Sequence, residues 1–415
     1  YVDENVFAYS NRAGGERALV LYNNAYQRTR GRLRSSTAIN VGSESQTHLV
    51  RRSLCEALDL QTDSDIYYVC RDHSRELEHI YSGRQLAEEG LHAELDGYQN
   101  MVLLDFREIH DIDGSWGTLA RELDGRGVVS INAAYRDVIL KPMRDSLHRA
   151  LRPALLKALL TGGAETLSDV DVRHEFVQAM ETFLEALEEQ MIAPVEVETT
   201  LRDILRSVDA VHRTWEETPS LGVEQEVLMY LRETGKQMVA SPEKTWALPA
   251  LWAVLAPLGR AISQSELQVR TAAWMDEWPV TPVLFDVFRE LGLDHDHATL
   301  STELVKLMVR YSDLPLILTV SERGDLIERM FEDPVLNDFL FVNQYEGKLW
   351  FSKEQFEKLM YWLFFCSAVH VLGDRVGVEE NAAETVHGQY HRVHEMLAAA
   401  DSVKYQVEPF LEVLS

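Results

Sequence analysis

Residues 5–11, NVFAYSN, alternate: Val6, Ala8 and Ser10 fall to one side, Phe7 and Tyr9 to the other. That period of two is the mark of a strand. RAGGE (12–16) supplies a turn, because Gly14 and Gly15 tolerate positive φ, and RALVLYN (17–23) reads as the returning strand. RLRSSTAINV (32–41) predicts another strand, and HLVRRSLCEAL (48–58) a short helix. DIYYVCRD (65–72) and ELEHIYSG (76–83) predict a second hairpin across His73–Ser74. LHAELDGYQNMVLLDFRE (91–108) ends the region with Asp96–Gly97 as its turn. Short strands at this spacing predict an antiparallel β-sandwich over residues 1–112.

Near HDIDGS (110–115) the apolar spacing changes to three and four. Phe176, Met180, Phe183, Leu184, Leu187 and Met191 form one helical stripe, and Leu201, Ile204, Leu205 and Val208 another. Pro and Gly punctuation at 161–163, 193–194, 218–222, 241–242, 278–282, 292–294 and 313–315 divides residues 113–415 into roughly ten to twelve helices. This region has room for two subdomains. One small hairpin interrupts it at about 340–351, turned at Glu346–Gly347, before a helix capped by Ser352 with Gln355 three residues on. The fold class expected is therefore multidomain α+β, an antiparallel sandwich followed by a large all-α region.

Composition narrows the partners. With 40 Lys+Arg against 67 Asp+Glu the net charge is −27. Residues 1–113 hold 12 basic and 19 acidic side chains (−7), and the remainder 28 and 48 (−20). Neither part is basic, which argues against nucleic acid and against an anionic membrane surface as partners. The longest apolar run, LMYWLFFCSAVHVL (359–372), is too short to span a bilayer. Cys55, Cys70 and Cys366 form no CxxC pair, which argues against a disulfide scaffold and suits a reducing compartment, so a cytoplasmic location is expected.

Several residue groups invite chemistry. His387, His391 and His394 stand at i, i+4 and i+7, one face of a helix, where two imidazoles four apart can chelate a metal. The Glu of an HExxH motif is absent, so the alternative is a polar helix face. Asp294, His295, Asp296 and His297 are adjacent; neighbours diverge on a helix, so an acidic helix start is the better account. Cys366 and His370 share a very apolar helix, which reads as core. Trp246, Trp252, Trp274, Trp278, Trp350 and Trp362 could stack on sugars, but aromatic side chains also fill helical cores. The sandwich offers Tyr9, Tyr22, Tyr26, Tyr67, Tyr68, Tyr81 and Tyr98; Tyr67 and Tyr68 must face opposite ways. GGAE (162–165) lacks the Lys-Ser/Thr of a phosphate loop, and no G-x-S-x-G elbow is present.

The stretch ENVFAYSNRAGGERALVLYNNAYQRTRGRL resembles the segment that follows the catalytic barrel in α-amylase-like proteins of glycoside hydrolase family 13. There the chain enters a C-terminal β-sandwich. GLHAELDGYQNMVLLDFREI (90–109) is similar to the last strands of that sandwich in large bacterial members, and FLFVNQYEGKLWFSKEQFE (339–357) to a segment of their helical tail. The resemblance covers about 110 residues well and the rest loosely. It implies a hydrolase or transglycosidase acting on α-glucans through two carboxylates and no cofactor. Those carboxylates sit on strands of a barrel that needs roughly 250 residues, and no such segment lies here. No catalytic, cofactor-binding or metal-binding residue is therefore carried over. Ile109-His110-Asp111 lacks the Asn of the family's Asn-His-Asp motif and is read as a domain junction. The expected partners are a catalytic barrel preceding Tyr1, buttressed by the sandwich, and α-glucan. The alternative is a non-catalytic interaction or carbohydrate-binding scaffold. A buttress should expose an apolar face near residues 1–30; a free-standing binding module should expose an aromatic pair.

Overall fold

The computed structural model describes residues 3–41, 46, 48–161, 169–189, 196–216, 227, 231, 246–262, 273–312, 323–373 and 382–414. They fall into two compact units, Tyr1–Lys141 and Pro142–Ser415. The first is built on antiparallel sheet and the second is predominantly helical, so the α+β architecture stands.

In the first unit, β1 (Val6–Ala13), β2 (Glu16–Asn23), β9 (Asn100–His110), β6 (Ile66–Asp72) and β7 (Leu77–Ser82) hydrogen-bond in that spatial order, every neighbour antiparallel. Both anticipated hairpins form, with Ala13 opposite Glu16 and Asp72 opposite Leu77. A second layer, the ribbon of β3 (Thr29–Leu33) and β8 (Leu91–Leu95), lies on one face. Leu91, Ala93 and Leu95 of β8 meet Leu19, Leu21, Ile66, Tyr68, Met101 and Leu103 in one core, closed by Leu54 and Leu58 of α1 (Leu54–Leu58) and Leu86 of α2 (Gly83–Glu88). Asp96–Gly97 therefore passes the chain between layers.

Local sequence explains two shortened elements. The segment 32–41 yields only the end of β3 and the two-residue β4 (Ile39–Asn40), which pairs with β5 (Leu49–Val50). The helix over 48–58 begins only at Leu54, because Ser53 and Glu56 close a capping box there: Glu56 N–H donates to Ser53 Oγ (3.2 Å) and Ser53 N–H to Glu56 Oε2 (2.7 Å).

On the other face of the sheet the described residues build a packed layer over β6 and β7. Val69 and Ile80 pack there with Leu119 of α3 (Ser115–Leu123) and Ile131 of α4 (Ile131–Ala150), and Trp116 stacks on Tyr135 at 3.7 Å. The switch from strand to helix periodicity at residue 112 thus lies inside this unit. Asp111 makes the switch: its carboxylate accepts from Gly114 N–H (3.0 Å), Trp116 N–H (3.3 Å) and Gly117 N–H (2.8 Å), satisfying the open first turn of α3.

The second unit contains the rest of α4, α5 (Pro153–Thr161), α6 (Asp169–Glu188), α7 (Val197–Glu216), α8 (Ala247–Ile262), α9 (Ala273–Glu277), α10 (Val280–Glu290), α11 (His295–Tyr311), α12 (Arg323–Phe331), α13 (Pro334–Phe339), α14 (Lys353–Gly373), α15 (Ala382–Ser402) and α16 (Val407–Leu414). The stripe Phe176, Met180, Phe183, Leu184 and Leu187 of α6 is fully buried; Met191 lies outside the described residues, as do the punctuation sites at 162–163, 193–194, 218–222, 241–242 and 313–315. The apolar run 359–372 makes up the C-terminal two-thirds of α14, a helix packed against α7 and α15. A helix apolar on every side belongs in a core. No described helix is long and apolar enough to cross a membrane. The anticipated hairpin is β10 (Asn343–Tyr345) with β11 (Lys348–Trp350), turned by Glu346 (φ 50°) and Gly347 (φ 77°). Two successive positive φ values match the twist of a two-residue hairpin. Ser352 Oγ then accepts from Gln355 N–H (3.3 Å) at the start of α14.

Candidate functional site

The same face of the sheet, over β1, β2 and the start of β9, is the first candidate surface. In β1, the small side Val6, Ala8 and Ser10 pairs with Asn23, Leu21 and Leu19, which are buried. Phe7 and Tyr9 therefore point the other way, beside Tyr22 and Val20, with Val102 opposite Val20 on β9. Leu104, two residues on, shares that face. Phe7 is 41% and Tyr9 62% exposed, while Val20, Tyr22, Val102 and Leu104 are half-buried. Glu16, opposite Ala13, and Arg71, opposite Leu104 and paired with Glu76, are charged residues at the rim of this patch.

The second candidate lies where the loops β2–β3 and β8–β9 meet. Asn23, fully buried, donates from Nδ2 to Gln27 O (2.8 Å) and Asp96 O (3.0 Å), and its Oδ1 accepts from Ala25 N–H (3.1 Å). Tyr98 N–H donates to Ala25 O (3.0 Å) and Asn23 N–H to Gln99 O (2.9 Å). Gly97 is seated so closely that a Cβ would stand 2.1 Å from Tyr26 O. On this tied backbone Tyr26 is 85% and Tyr98 59% exposed, and Tyr98 holds the left-handed φ of 59°. Exposed amides Asn24 and Gln27 adjoin them, and Arg28 is paired with Glu94 (2.8 Å) and Asp96 (3.5 Å).

The histidine face comes together only in part. The Nε2 atoms of His387 and His391 lie 2.8 Å apart, one imidazole donating to the other, with rings edge to face. His394 instead sets its ring against Tyr390 (centroids 4.3 Å) and Tyr361 (6.2 Å). Among the described residues no group of three or more His, Cys, Asp or Glu is arranged to hold a metal ion. Asp294 caps α11, accepting from His297 N–H (2.9 Å), a bond that holds its carboxyl below the usual carboxylate range. His295 turns away onto the ring of Phe285 (5.2 Å). Cys366 is buried in α14, and His370 stands edge-on to Trp252 at 6.0 Å. Trp246, Trp252, Trp274 and Trp362 are core, and Trp278 and Trp350 half-buried.

Tyr67 and Tyr68 face opposite ways, and both faces are covered: Tyr68 by the sandwich core, Tyr67 by the α3–α4 layer. Tyr68 Oη donates to Glu108 Oε2 (2.7 Å) and accepts from Gln61 N–H (2.6 Å); burial and this carboxylate push its phenol up to about 12. Sequence pattern did not single out Asn23, Glu108, Asp72 or His79. The polar run NNAYQ after a strand is a loop signal for Asn23, and the alternation of ELEHIYS sets His79 on the face of Leu77 and Tyr81. Compared with protein-family models, with curated proteins and with solved structures, the chain matches none.

Proposed function

We propose that this chain is the C-terminal part of an α-amylase-like protein of glycoside hydrolase family 13 acting on α-glucans, and that its first unit buttresses the catalytic barrel. The observation that carries the reading is the apolar half-sheet of Phe7, Tyr9, Val20, Tyr22, Val102 and Leu104, on which Phe7 and Tyr9 are exposed and the other four half-buried. A monomer with a solvated sheet face alternates polar residues outward, whereas this face is aromatic and aliphatic next to a face that is already buried. A docked rigid body explains that pattern. Two of the segments that carry the resemblance, 4–33 and 90–109, supply the β1–β2 hairpin and β9, and β2 and β9 are hydrogen-bonded neighbours although far apart in sequence. The reading includes a cytoplasmic location, supported by three buried free thiols.

The test is to capture the native polypeptide from its source with an antibody to this chain, measure its length, and assay release of reducing ends from soluble starch. A polypeptide longer by at least a barrel's roughly 250 residues, with release, is the expected result. A polypeptide of this length, or a longer one inert on α-glucans, counts against it. In the full polypeptide, Phe7→Asp with Tyr9→Asp should lower both the melting temperature and the activity.

A further inference from the structure

We propose that Tyr26 and Tyr98 form a stacking platform for the pyranose rings of an α-glucan chain, separate from the half-sheet of Phe7 and Tyr9. The identity of the sugar rests on the family reading above; the platform rests on geometry. Two tyrosines that are 85% and 59% exposed stand on loops whose backbones bond directly, Tyr98 N–H to Ala25 O. Exposed aromatic side chains gain little from solvent, and a left-handed φ at Tyr98 adds local strain, so the fold itself gives no reason for them. The loops cannot sag: the fully bonded Asn23 amide ties both, and Gly97 sits against Tyr26 O. Such preorganisation reduces the ordering cost of binding. Tyrosine presents a flat apolar face and a hydroxyl with only two side-chain torsions to fix.

The chemistry around the pair selects a neutral, hydroxyl-rich ligand. Asn24 and Gln27 offer exposed amides that can both donate and accept, as sugar hydroxyls require. Of the cations beside the pair, Arg28 is neutralised by Glu94 and Asp96, and Arg75, which donates to Gln99 Oε1 (3.0 Å) and Glu94 O (3.3 Å), stands 3.9 Å from the Asp72 carboxylate, in a chain of net charge −27. A phosphorylated or polyanionic ligand has no free counter-charge among these residues. A polar rim around two aromatic faces, rather than a continuous apolar patch, fits an extended oligosaccharide better than a protein surface.

The full chain should be retarded in native gels containing amylopectin and should bind maltoheptaose in a calorimetric titration. Tyr26→Ala and Tyr98→Ala should each weaken binding about tenfold, Tyr26→Phe should retain most of it, and Tyr9→Ala should leave it unchanged. All four should melt within a few degrees of the parent, because these side chains are exposed. A parent chain indifferent to amylopectin, or alanine variants that bind like the parent, would overturn the platform even if the native polypeptide hydrolyses starch. Retardation by a β-glucan alone, abolished by the same variants, would overturn the α-glucan reading and leave the platform standing.

Discussion

The buried amide of Asn23 donates to the carbonyl of Asp96, 73 residues further along the chain, at 3.0 Å. The same nitrogen reaches Gln27 O, and the amide oxygen takes Ala25 N–H, so one side chain satisfies three backbone groups of two loops. Asn23→Ala should leave those groups unpaired in a site closed to water and cost about 2–3 kcal/mol in urea unfolding. Asn23→Asp should cost more, since it sets carboxylate oxygens against two carbonyls. An alanine variant within about 0.5 kcal/mol of the parent would mean that the loops do not depend on this residue.

Gly97 and Gly31 make a matched pair for a steric test. A Cβ on Gly97 would lie 2.1 Å from Tyr26 O and 2.7 Å from its carbonyl carbon, both backbone atoms that cannot rotate aside. On Gly31, in β3, a Cβ would meet nothing within 4 Å. Gly97→Ala should therefore destabilise by about 1–3 kcal/mol, and Gly31→Ala should be neutral or slightly stabilising through the unfolded chain. Equal melting temperatures for the two variants would contradict the close seating of Gly97.

Much of this architecture is legible in short range. The turns at Gly14–Gly15, His73–Ser74 and Glu346–Gly347 announce themselves by residue type, because positive φ and short polar side chains are local requirements. The α6 stripe is legible because a buried helix face repeats at 3.6 residues. What alternation cannot give is the neighbour on each face. The pairing of β3 with β8 joins residues some sixty apart, and nothing in RLRSS names LHAEL as its partner. The coverage of Tyr67 by α3 and α4 also depends on a long-range packing choice. For the same reason the alternation of β1 separates Val6, Ala8 and Ser10 from Phe7 and Tyr9 without saying which set shares the face of the buried Leu19 and Leu21; it is the first. The tyrosines of the proposed platform are visible as types, but their exposure follows from Asn23, whose role needs both loops in place.

Tyr68 contributes to an alkaline limit of the fold, alongside Tyr81, Tyr311 and Cys70, which burial also pushes up. The Tyr68 phenol, buried and bonded to Glu108, titrates near 12 rather than the ordinary 10. The unfolded chain loses this proton first, so the contribution is fully present below pH 10 and is lost as pH rises towards 12. Unfolding free energy should fall more steeply between pH 9.5 and 11 for the parent than for Tyr68→Phe. At pH 7 the Phe variant should be weaker by about 1–2 kcal/mol, because Glu108 and Gln61 N–H lose their partner. Parallel pH profiles would show that Tyr68 does not contribute to this limit.

His79 sets the opposite limit. It is buried on β7, with Nδ1 3.0 Å from Gly125 O, and a Cβ on Gly127 would crowd its Nε2 at 2.7 Å. Burial lowers its pKa below 6.5, outweighing the Gly125 carbonyl and Asp72, which favour the charged ring; Arg75 adds to the lowering. The folded ring therefore stays neutral while the unfolded one takes up a proton, and stability drains away as pH falls through 6.5. His79→Phe keeps a ring in the site and removes the titration. The stability difference between parent and His79→Phe should narrow from pH 7.5 to pH 5 if this ring is held neutral. A gap that stays constant or widens on acidification would mean that the folded site accepts the proton as readily as water does, and that the Gly125 and Asp72 contacts dominate over burial.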